Sequence, residues 1–135
     1  FSGSVTLQGG AGDDTLTGGS GNDFLDGGTD TNTIQQTASG TLTLTDTLLT
    51  GSGSDTLANI QHASLAGGSG ADNIDASGFT AGSVTISGND GNDTLKGSTS
   101  NDTLSGGAGN DSLDGYSGGA DVVLETGDVD FTLTN

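Results

Sequence analysis

The chain has 135 residues, of which only 28% are hydrophobic, and a formal net charge of −17. This is one domain's length of chain, with too little apolar material and too much charge for an ordinary globular core. A single basic residue among eighteen acidic ones excludes nucleic acid and anionic membrane surfaces as electrostatic partners, so the natural counter-ions are metal cations. The chain has no cysteine, so disulfides and thiolate metal sites cannot supply the missing order.

Nine-residue units recur along the chain, with glycine at the first, second and fourth places, aspartate at the sixth and an aliphatic residue at the eighth. Residues 9–17 read GGAGDDTLT and residues 18–26 read GGSGNDFLD. The remaining units cover residues 27–35, 50–58, 67–75, 88–96, 97–105 and 106–114, with a longer one at 115–124. A fixed period of this kind is typical of stacked repeat architectures.

Each unit predicts one tight turn followed by one short strand. Consecutive glycines allow the positive φ of a tight turn, and the three residues after the loop are enough for a strand but too few for a helix. One turn and one strand reverse the chain once, so two units, about 18 residues, complete a coil of a parallel solenoid. The eighth-position side chains then form an inward file: Leu16, Leu25, Ile34, Leu57, Ile74, Leu95, Leu104 and Leu113.

Three segments, 36–50, 59–66 and 76–87, lack the glycine loop but keep alternating apolar residues such as Leu42 and Leu44. We expect 36–50 and 76–87 to add coil strands without binding metal. Residues 1–135 are therefore expected to form a single β-roll, a fragment of a longer chain. Within it we distinguish a first array (1–35), irregular coils with one loop at 50–58 (36–66), a second array (67–124) and the start of a further coil (125–135).

Stacking of the coils would place the aspartates above one another at the roughly 5 Å spacing of neighbouring strands, where unneutralised carboxylates repel. A divalent cation between successive loops removes this repulsion. Aspartate and backbone carbonyl oxygens in a flexible loop suit calcium, a hard cation that takes six to eight oxygen ligands, better than zinc or copper.

The pattern GGxGxDxUx resembles the nonapeptide of RTX (hemolysin-type) calcium-binding proteins, whose repeats form calcium-bound β-helices. The resemblance implies an all-β, right-handed parallel β-roll, with roughly five to eight calcium ions bound between loops two repeats apart. It also implies type I export and folding outside the cell. Carried over to the matching positions, the metal-binding residues are Gly10, Gly12, Asp14, Gly19, Gly21, Asp23, Gly28, Asp30, Asn32, Gly51, Gly53, Asp55, Gly68, Gly70, Asp72, Asn89, Gly91, Asp93, Ser98, Ser100, Asp102, Gly107, Gly109, Asp111, Gly119 and Asp121.

Counting alternate loops predicts two columns of sixth-position side chains. We expect Asp102 and Asp121 to pair in one column and Asp23 to lack a partner, and Asn32, in a unit without its fourth glycine, to be a weaker ligand. The other column would contain Asp14, Asn32, Asp55, Asp72, Asp93 and Asp111.

Other kinds of site fit the sequence less well. A phosphate-binding loop needs a following helix and a basic group, and an EF-hand needs oxygen ligands that the residues before Glu125 do not offer. His62 could act as a general base with a nearby serine, but the sequence displays no orienting partner or oxyanion site. The alternating Thr41, Thr43, Thr45 and Thr47 could form a hydroxyl ladder for ice or sugar, or the ordinary outer face of a strand.

The sequence therefore predicts a non-catalytic, calcium-binding structural segment of a secreted or cell-surface bacterial protein. Its expected partners are calcium, the rest of the parent polypeptide and neighbouring modules, without nucleic acid or membrane insertion. Two alternatives remain open. One is an adhesive or surface-layer module that binds carbohydrate, ice or neighbouring subunits, and the other is the accessory module of an exported enzyme.

Overall fold

The structure, a computed structural model, describes residues 2–125 and 132–134. Fifteen strands form two sheets. Sheet A contains β1 (Thr6–Gly10), β3 (Phe24–Gly28), β5 (Thr41–Thr45), β6 (Leu48–Thr50), β7 (Ser54–Ala58), β9 (Asn73–Gly78), β11 (Thr94–Lys96), β13 (Ser112–Asp114) and β15 (Thr132–Thr134). Sheet B contains β2 (Thr15–Leu16), β4 (Thr33–Thr37), β8 (His62–Ala66), β10 (Val84–Asp90), β12 (Thr103–Ala108) and β14 (Val122–Leu124). Within the described ranges, no helix has the length and apolarity needed to cross a membrane.

Stacked strands in the two arrays are parallel and lie two nonapeptides apart. Thr6 pairs with Phe24, and Thr85 pairs with Thr103, each eighteen residues later. Outside residues 41–58, the chain changes sheet at every loop, so one strand of each sheet makes one coil. The predicted all-β class and parallel β-roll are confirmed. Most of the predicted coil at 125–135 lies outside the described residues, and its described part, β15, pairs with β13.

The interior of the roll is a single file of aliphatic side chains between the sheets. All eight predicted inward residues are buried, from Leu16 to Leu113. Fully burying one such side chain stabilises the fold by about 1.5–3 kcal/mol. Phe79 is also fully buried, whereas Phe24, which precedes the inward Leu25, is 39% exposed.

Residues 41–58 depart from the predicted coil. Instead of one returning strand, β5, β6 and β7 form an antiparallel meander that stays within sheet A. Its first turn has only two residues, Asp46 and Thr47, and its second is the glycine loop at 51–53. The prediction that 36–50 adds a stacked coil strand is confirmed for β5, which pairs in parallel with β9. It is wrong for β6, because connections this short join antiparallel neighbours and cannot cross to the other sheet. Segment 76–87 does lead into a stacked strand, β10, as predicted.

The meander makes sheet A wider than sheet B at this level. In sheet A, β7, β6 and β5 separate β3 from β9, whereas in sheet B β8 alone lies between β4 and β10. Two additional strands widen sheet A by about 10 Å. Leu42, Leu44 and Leu49 of the meander are fully buried beneath it, and their side chains extend the core.

Candidate metal-binding loops

The loops stack along two edges of the roll. We call the loops that lead into sheet A strands edge A, and those that lead into sheet B strands edge B. Edge A carries Asp23, Asp55, Asp72, Asp93 and Asp111, whereas edge B carries Asp14, Asn32, Asp102 and Asp121.

The predicted columns are therefore wrong in two respects. Asp14 and Asn32 belong with Asp102 and Asp121, and Asp23 has a partner, Asp55. The cause is the meander, which returns the chain to sheet A at β7, so that β7 stacks on β3.

Each sixth-position side chain on these edges except Asp14, in the first loop of edge B, accepts a hydrogen bond from the backbone of the preceding stacked loop. The Asp72 N–H donates to Asp93 Oδ1 at 2.8 Å, and the Asp93 N–H donates to Asp111 Oδ1 at 2.8 Å. The same relationship joins Val5 to Asp23, Asp14 to Asn32, Asp23 to Asp55, Gly40 to Asp72, Val84 to Asp102 and Asp102 to Asp121. One carboxylate oxygen of each aspartate is thereby fixed, and the other is directed into its own loop.

That second oxygen is the unusual feature of the loops. Among the described residues, five aspartates have a buried Oδ2 without a hydrogen-bond partner: Asp14, Asp23, Asp55, Asp93 and Asp111. A buried carboxylate oxygen without a donor is costly and therefore rare. Burial raises the pKa of Asp55, and the Asp23 carboxylate adds to the effect. Burial likewise raises the pKa of Asp93, together with the Asp111 and Asp72 carboxylates.

A cation beside these oxygens would remove the cost. Within the described ranges, no three acidic or histidine side chains converge on one point. Asp93 Oδ2 and the Gly106 carbonyl oxygen, however, both lie against the place where a Cβ of Gly88 would stand, and Asp14 Oδ2 and the Gly27 carbonyl oxygen do so at Gly9. Carboxylate and carbonyl oxygens from two stacked loops are the donors that calcium takes. The residues therefore fit calcium.

The glycines of a unit have two different roles. At the first place, a Cβ would collide with the unit's own sixth-position side chain, as Gly9 would with Asp14 and Gly88 with Asp93. At the second and fourth places of most units the backbone has positive φ, 103° at Gly10 for example, but it does not at Gly68 or Gly70. Other units fill such a place with Asp30 (φ 69°) or Asn89 (φ 75°), residue types whose short side chains tolerate this conformation.

The last loop corrects one predicted residue. Gly118, with φ 122°, takes the fourth-position conformation, and Gly119 is the inserted residue. Tyr116, at the second place, also has positive φ (70°), and its ring lies 4.5 Å from Lys96 Nζ.

A second ladder at the fifth position is absent from the sequence predictions. Asn92 Oδ1 accepts a hydrogen bond from the Asn110 N–H at 2.9 Å. The fifth-position side chains Asp13, Asn22 and Asn101 accept from the backbones of Thr31, Ser54 and Ala120 in the same way. Here the acceptor belongs to the earlier loop, whereas in the sixth-position ladder it belongs to the later one, so stacked loops are bonded reciprocally. The recurring Asn–Asp dipeptides are the sequence signal for both ladders.

Three sixth-position residues differ, because groups of the protein already satisfy both of their polar atoms. Asn32 Nδ2 donates to the carbonyl oxygens of Thr29 and Asn59, at 3.3 and 3.2 Å. Asp72 Oδ2 accepts from the Gly68 N–H at 2.5 Å. Asp102 Oδ2 accepts from the Ser98 N–H at 2.6 Å.

His62 lies on edge B, away from these carboxylates. Its Nδ1 is 2.9 Å from Ser83 Oγ, a contact between neighbouring coils. In the part of the chain that the structure describes, no carboxylate hydrogen-bonds this ring, so the contact has the arrangement of a structural bond between coils.

The chain was compared with known proteins. No curated protein sequence matches it. The family model of the RTX calcium-binding nonapeptide repeat matches four copies, in residues 6–34 and 87–122. Strands in and beside these segments stack eighteen or nineteen residues apart, and the repeat is a structural, generally non-catalytic one. The two matched segments are therefore RTX calcium-binding nonapeptide repeats within a parallel β-roll.

Proposed function

We propose that the chain is a calcium-dependent structural segment of an exported bacterial protein, which folds when it meets calcium outside the cell. One observation carries the proposal: the five buried Oδ2 atoms that lack a donor among the described residues. Each is a carboxylate oxygen that the fold buries without compensation, and bound calcium supplies that compensation.

The proposal assigns calcium to the loops of Asp14, Asp23, Asp55, Asp93 and Asp111. In each loop the ion would share the aspartate Oδ2 with glycine-loop carbonyl oxygens. Five such loops correspond to the lower end of the range expected from the sequence. In four of the five loops, the Oδ1 atom already accepts a backbone hydrogen bond from the preceding stacked loop, and this orients the carboxylate before the ion arrives.

Export and localisation follow from the calcium dependence. In a cytosol with little free calcium, repulsion among eighteen acidic side chains favours an extended chain, which suits passage through a type I exporter. Outside the cell, calcium binds only the folded state and stabilises it by mass action.

Circular dichroism and calorimetric titration test the proposal. We expect β-structure to increase steeply when calcium is added to the 135-residue chain in chelator, with several ions bound. Magnesium is the control, because it requires stricter octahedral geometry and loses its water reluctantly. Equal β content with and without calcium, or equal rescue by magnesium, would refute the proposal.

A second candidate function, an adhesive module, is favoured by the outer face of sheet B. Two rows of paired outward residues there carry no charge: Gln35, Ser64, Thr85, Thr103 and Val122, and then Thr37, Ala66, Ser87, Ser105 and Leu124. A flat uncharged face on so acidic a chain can approach a neutral glycan or another module without repulsion. Binding to a neutral glycan array that Thr85→Glu abolishes, with calcium-induced folding unchanged, would support this function.

A further inference from the structure

The two matched arrays flank a stretch of different character. We call residues 35–86 the central block, because they lie between the two segments that the repeat family matches. These two segments, residues 6–34 and 87–122, are called the first and second arrays from here on. Among the described residues, the block contains twelve of the eighteen buried apolar side chains, but it has only four of the eighteen acidic residues of the chain, Asp46, Asp55, Asp72 and Asp75. Apolar burial is thus concentrated where charge repulsion is weakest.

The meander provides much of this core. Leu42, Leu44 and Leu49 are fully buried under sheet A, and Phe79, the largest buried side chain, is fully enclosed as well. The flanking arrays, by contrast, bury about one aliphatic residue per strand, such as Leu95 and Leu113. The central block therefore has a core that does not depend on neutralising its loops.

Its carboxylates are also largely satisfied by the chain itself. Asp46, in the first turn of the meander, accepts from the Thr80 N–H (2.6 Å), the Thr80 hydroxyl (2.7 Å) and the Ala81 N–H (3.1 Å). This ties the meander to the loop before β10. Asp75 accepts from the backbone and hydroxyl of Ser77. Asp72 is bonded at both oxygens, by Gly40 and Gly68.

On edge B, neutral donors occupy the places that calcium has in the proposed sites. The Asn32 side-chain amide donates to two carbonyl oxygens, and the Asn32 backbone N–H donates to Gln61 Oε1 at 2.8 Å. A side-chain amide thus replaces the carboxylate in two successive loops. Beyond the other end of the block, the Ser98 N–H donates to Asp102 Oδ2 at 2.6 Å, and the Ser98 hydroxyl hydrogen-bonds Asp102 Oδ1 (2.8 Å) and the Gly82 carbonyl (3.1 Å). The edge B loops of Asn32 and Asp102, which flank the block, thus have their sixth-position side chains satisfied by protein groups.

Among the described residues of the central block, only Asp55 has a buried carboxylate oxygen, its Oδ2, without a hydrogen-bond partner. Asp55 lies where the block meets the first array. Its Oδ1 accepts from Asp23, which belongs to the first array. The first carboxylate that requires calcium is therefore at the contact between the central block and the first array.

We propose that the central block folds without calcium and presents its outer strands as a template on which the two arrays stack once calcium binds. This inference rests on the proposed function for the arrays and adds that the calcium dependence is local. The chain would be exported with only its central block ordered. Outside the cell, folding would start from this block and spread to both ends, as in stacked repeats with unequal stabilities.

Peptide-resolved hydrogen exchange on the 135-residue chain, in chelator and in calcium, tests the inference. In chelator we expect the amides of β7, β8 and β9 to exchange at least about tenfold more slowly than those of β1, β3, β11 and β13. In calcium all of them should be protected. Uniformly fast exchange in chelator, with protection everywhere in calcium, would overturn the inference and leave the proposed function intact. Arrays that calcium fails to protect would refute the proposed function instead, and full protection of the arrays in chelator would overturn both.

Two matched core variants add a second readout. Leu49→Ala and Leu113→Ala each truncate a fully buried leucine, the first in the central block and the second in the second array. Leu49→Ala should remove the protection that remains in chelator, whereas Leu113→Ala should leave the chelator pattern unchanged and weaken protection only in calcium. The opposite pattern, or equal effects of the two variants in chelator, would overturn the inference.

Discussion

The backbone N–H of Asp23 donates a hydrogen bond of 3.0 Å to Oδ1 of Asp55, thirty-two residues later in the chain. Asp23 Oδ1 in turn accepts from the Val5 N–H at 2.8 Å, so Asp23 has stacked neighbours on both sides. Both Asp23 and Asp55 are buried, and within the described residues the Oδ2 of each lacks a donor. Asp23 is therefore an interior member of edge A, equivalent to Asp93.

The first prediction follows from that equivalence. Asp23→Ala and Asp93→Ala should raise the calcium midpoint of folding to a similar extent, each destabilising the calcium-bound fold by about 2 kcal/mol, because each removes a buried acceptor and a candidate ligand. Asp90→Ala, which removes one exposed carboxylate, is the control for net charge and should have little effect. A midpoint for Asp23→Ala that matches the control would show that this loop binds no calcium.

The second prediction compares two neighbouring loops of edge B by exchanging the residue types at the sixth position, so that Asn32 becomes aspartate and Asp14 becomes asparagine. Asn32→Asp replaces an amide that donates to the Thr29 and Asn59 carbonyls with a carboxylate that can donate to neither. It should destabilise the fold by about 1–3 kcal/mol, by a similar amount at every calcium concentration at which the first array is folded. Asp14→Asn removes a carboxylate oxygen that has no protein donor and should weaken calcium binding, so its loss of stability should grow with calcium concentration. Chemical denaturation at several calcium concentrations measures the two effects, and the same calcium dependence for both variants would contradict the distinction between the loops.

The third prediction concerns the Ser98 hydroxyl, which hydrogen-bonds Asp102 and Gly82 and accepts from the Ser100 N–H. Ser98→Ala should destabilise the fold by about 1–3 kcal/mol, by a similar amount at every calcium concentration at which the second array is folded, because the hydroxyl bonds stabilise this loop without metal. Ser105→Ala, on the outer face of sheet B, is the matched control. If saturating calcium erased the Ser98→Ala defect, the Asp102 loop would be a calcium site.

Much of the architecture could be predicted from the periodicity, because a nine-residue pattern with one inward position per unit determines both the strand register and the inward file. The order of the loops could not. Residues 41–58 alternate as a coil strand would, and alternation does not distinguish parallel from antiparallel pairing. The two-residue connection at Asp46 and Thr47 is the signal for the hairpin. Because the meander returns the chain to sheet A, counting alternate loops assigns the loops before it to the wrong edge relative to the loops after it.

The candidate site was predictable in its residue types but not in its differences between loops. The sixth-position aspartates stand out by spacing alone. Asp102 Oδ2 accepts from the backbone N–H of Ser98, at the second place, whereas Asp93 Oδ2 has no donor among the described residues. The difference depends on the backbone conformation at the second place, which has positive φ at Asn89 but not at Ser98, and the repeat pattern does not show it. Gln61 lies outside any nonapeptide and still takes the acceptor role toward Asn32.

The fourth prediction is that acidification raises the stability of the fold in chelator and lowers it in calcium. The raised pKa of Asp55 means that the central block, folded without metal, binds protons more tightly than the unfolded chain. In chelator, the stability of the block should therefore rise as the pH falls from 7 through the raised pKa toward the ordinary carboxyl range. In calcium, the same acidification should reduce stability, because protons compete for the ligands.

A contribution of the opposite sign comes from Asp46. Hydrogen bonds from Thr80 and Ala81 outweigh its desolvation and lower its pKa. Its stabilising effect is present above the ordinary carboxyl pKa and is lost as the pH falls through the lowered value. Asp46→Asn should therefore remove part of the acid lability at the low end of a pH titration. Chemical denaturation at pH 7, 5 and 3 measures both effects, and a chelator-state stability that falls steadily from pH 7 would contradict the assignment for Asp55.

A crystal structure of the 135-residue chain grown with calcium, with the ions located by anomalous scattering, tests the central claim most directly. The account predicts ions beside Asp14, Asp23, Asp55, Asp93 and Asp111, each sharing Oδ2 with glycine-loop carbonyl oxygens, and none beside Asn32 or Asp102. Ions beside Asn32 and Asp102, or carboxylates of the five named residues satisfied by protein donors with no ion present, would contradict it.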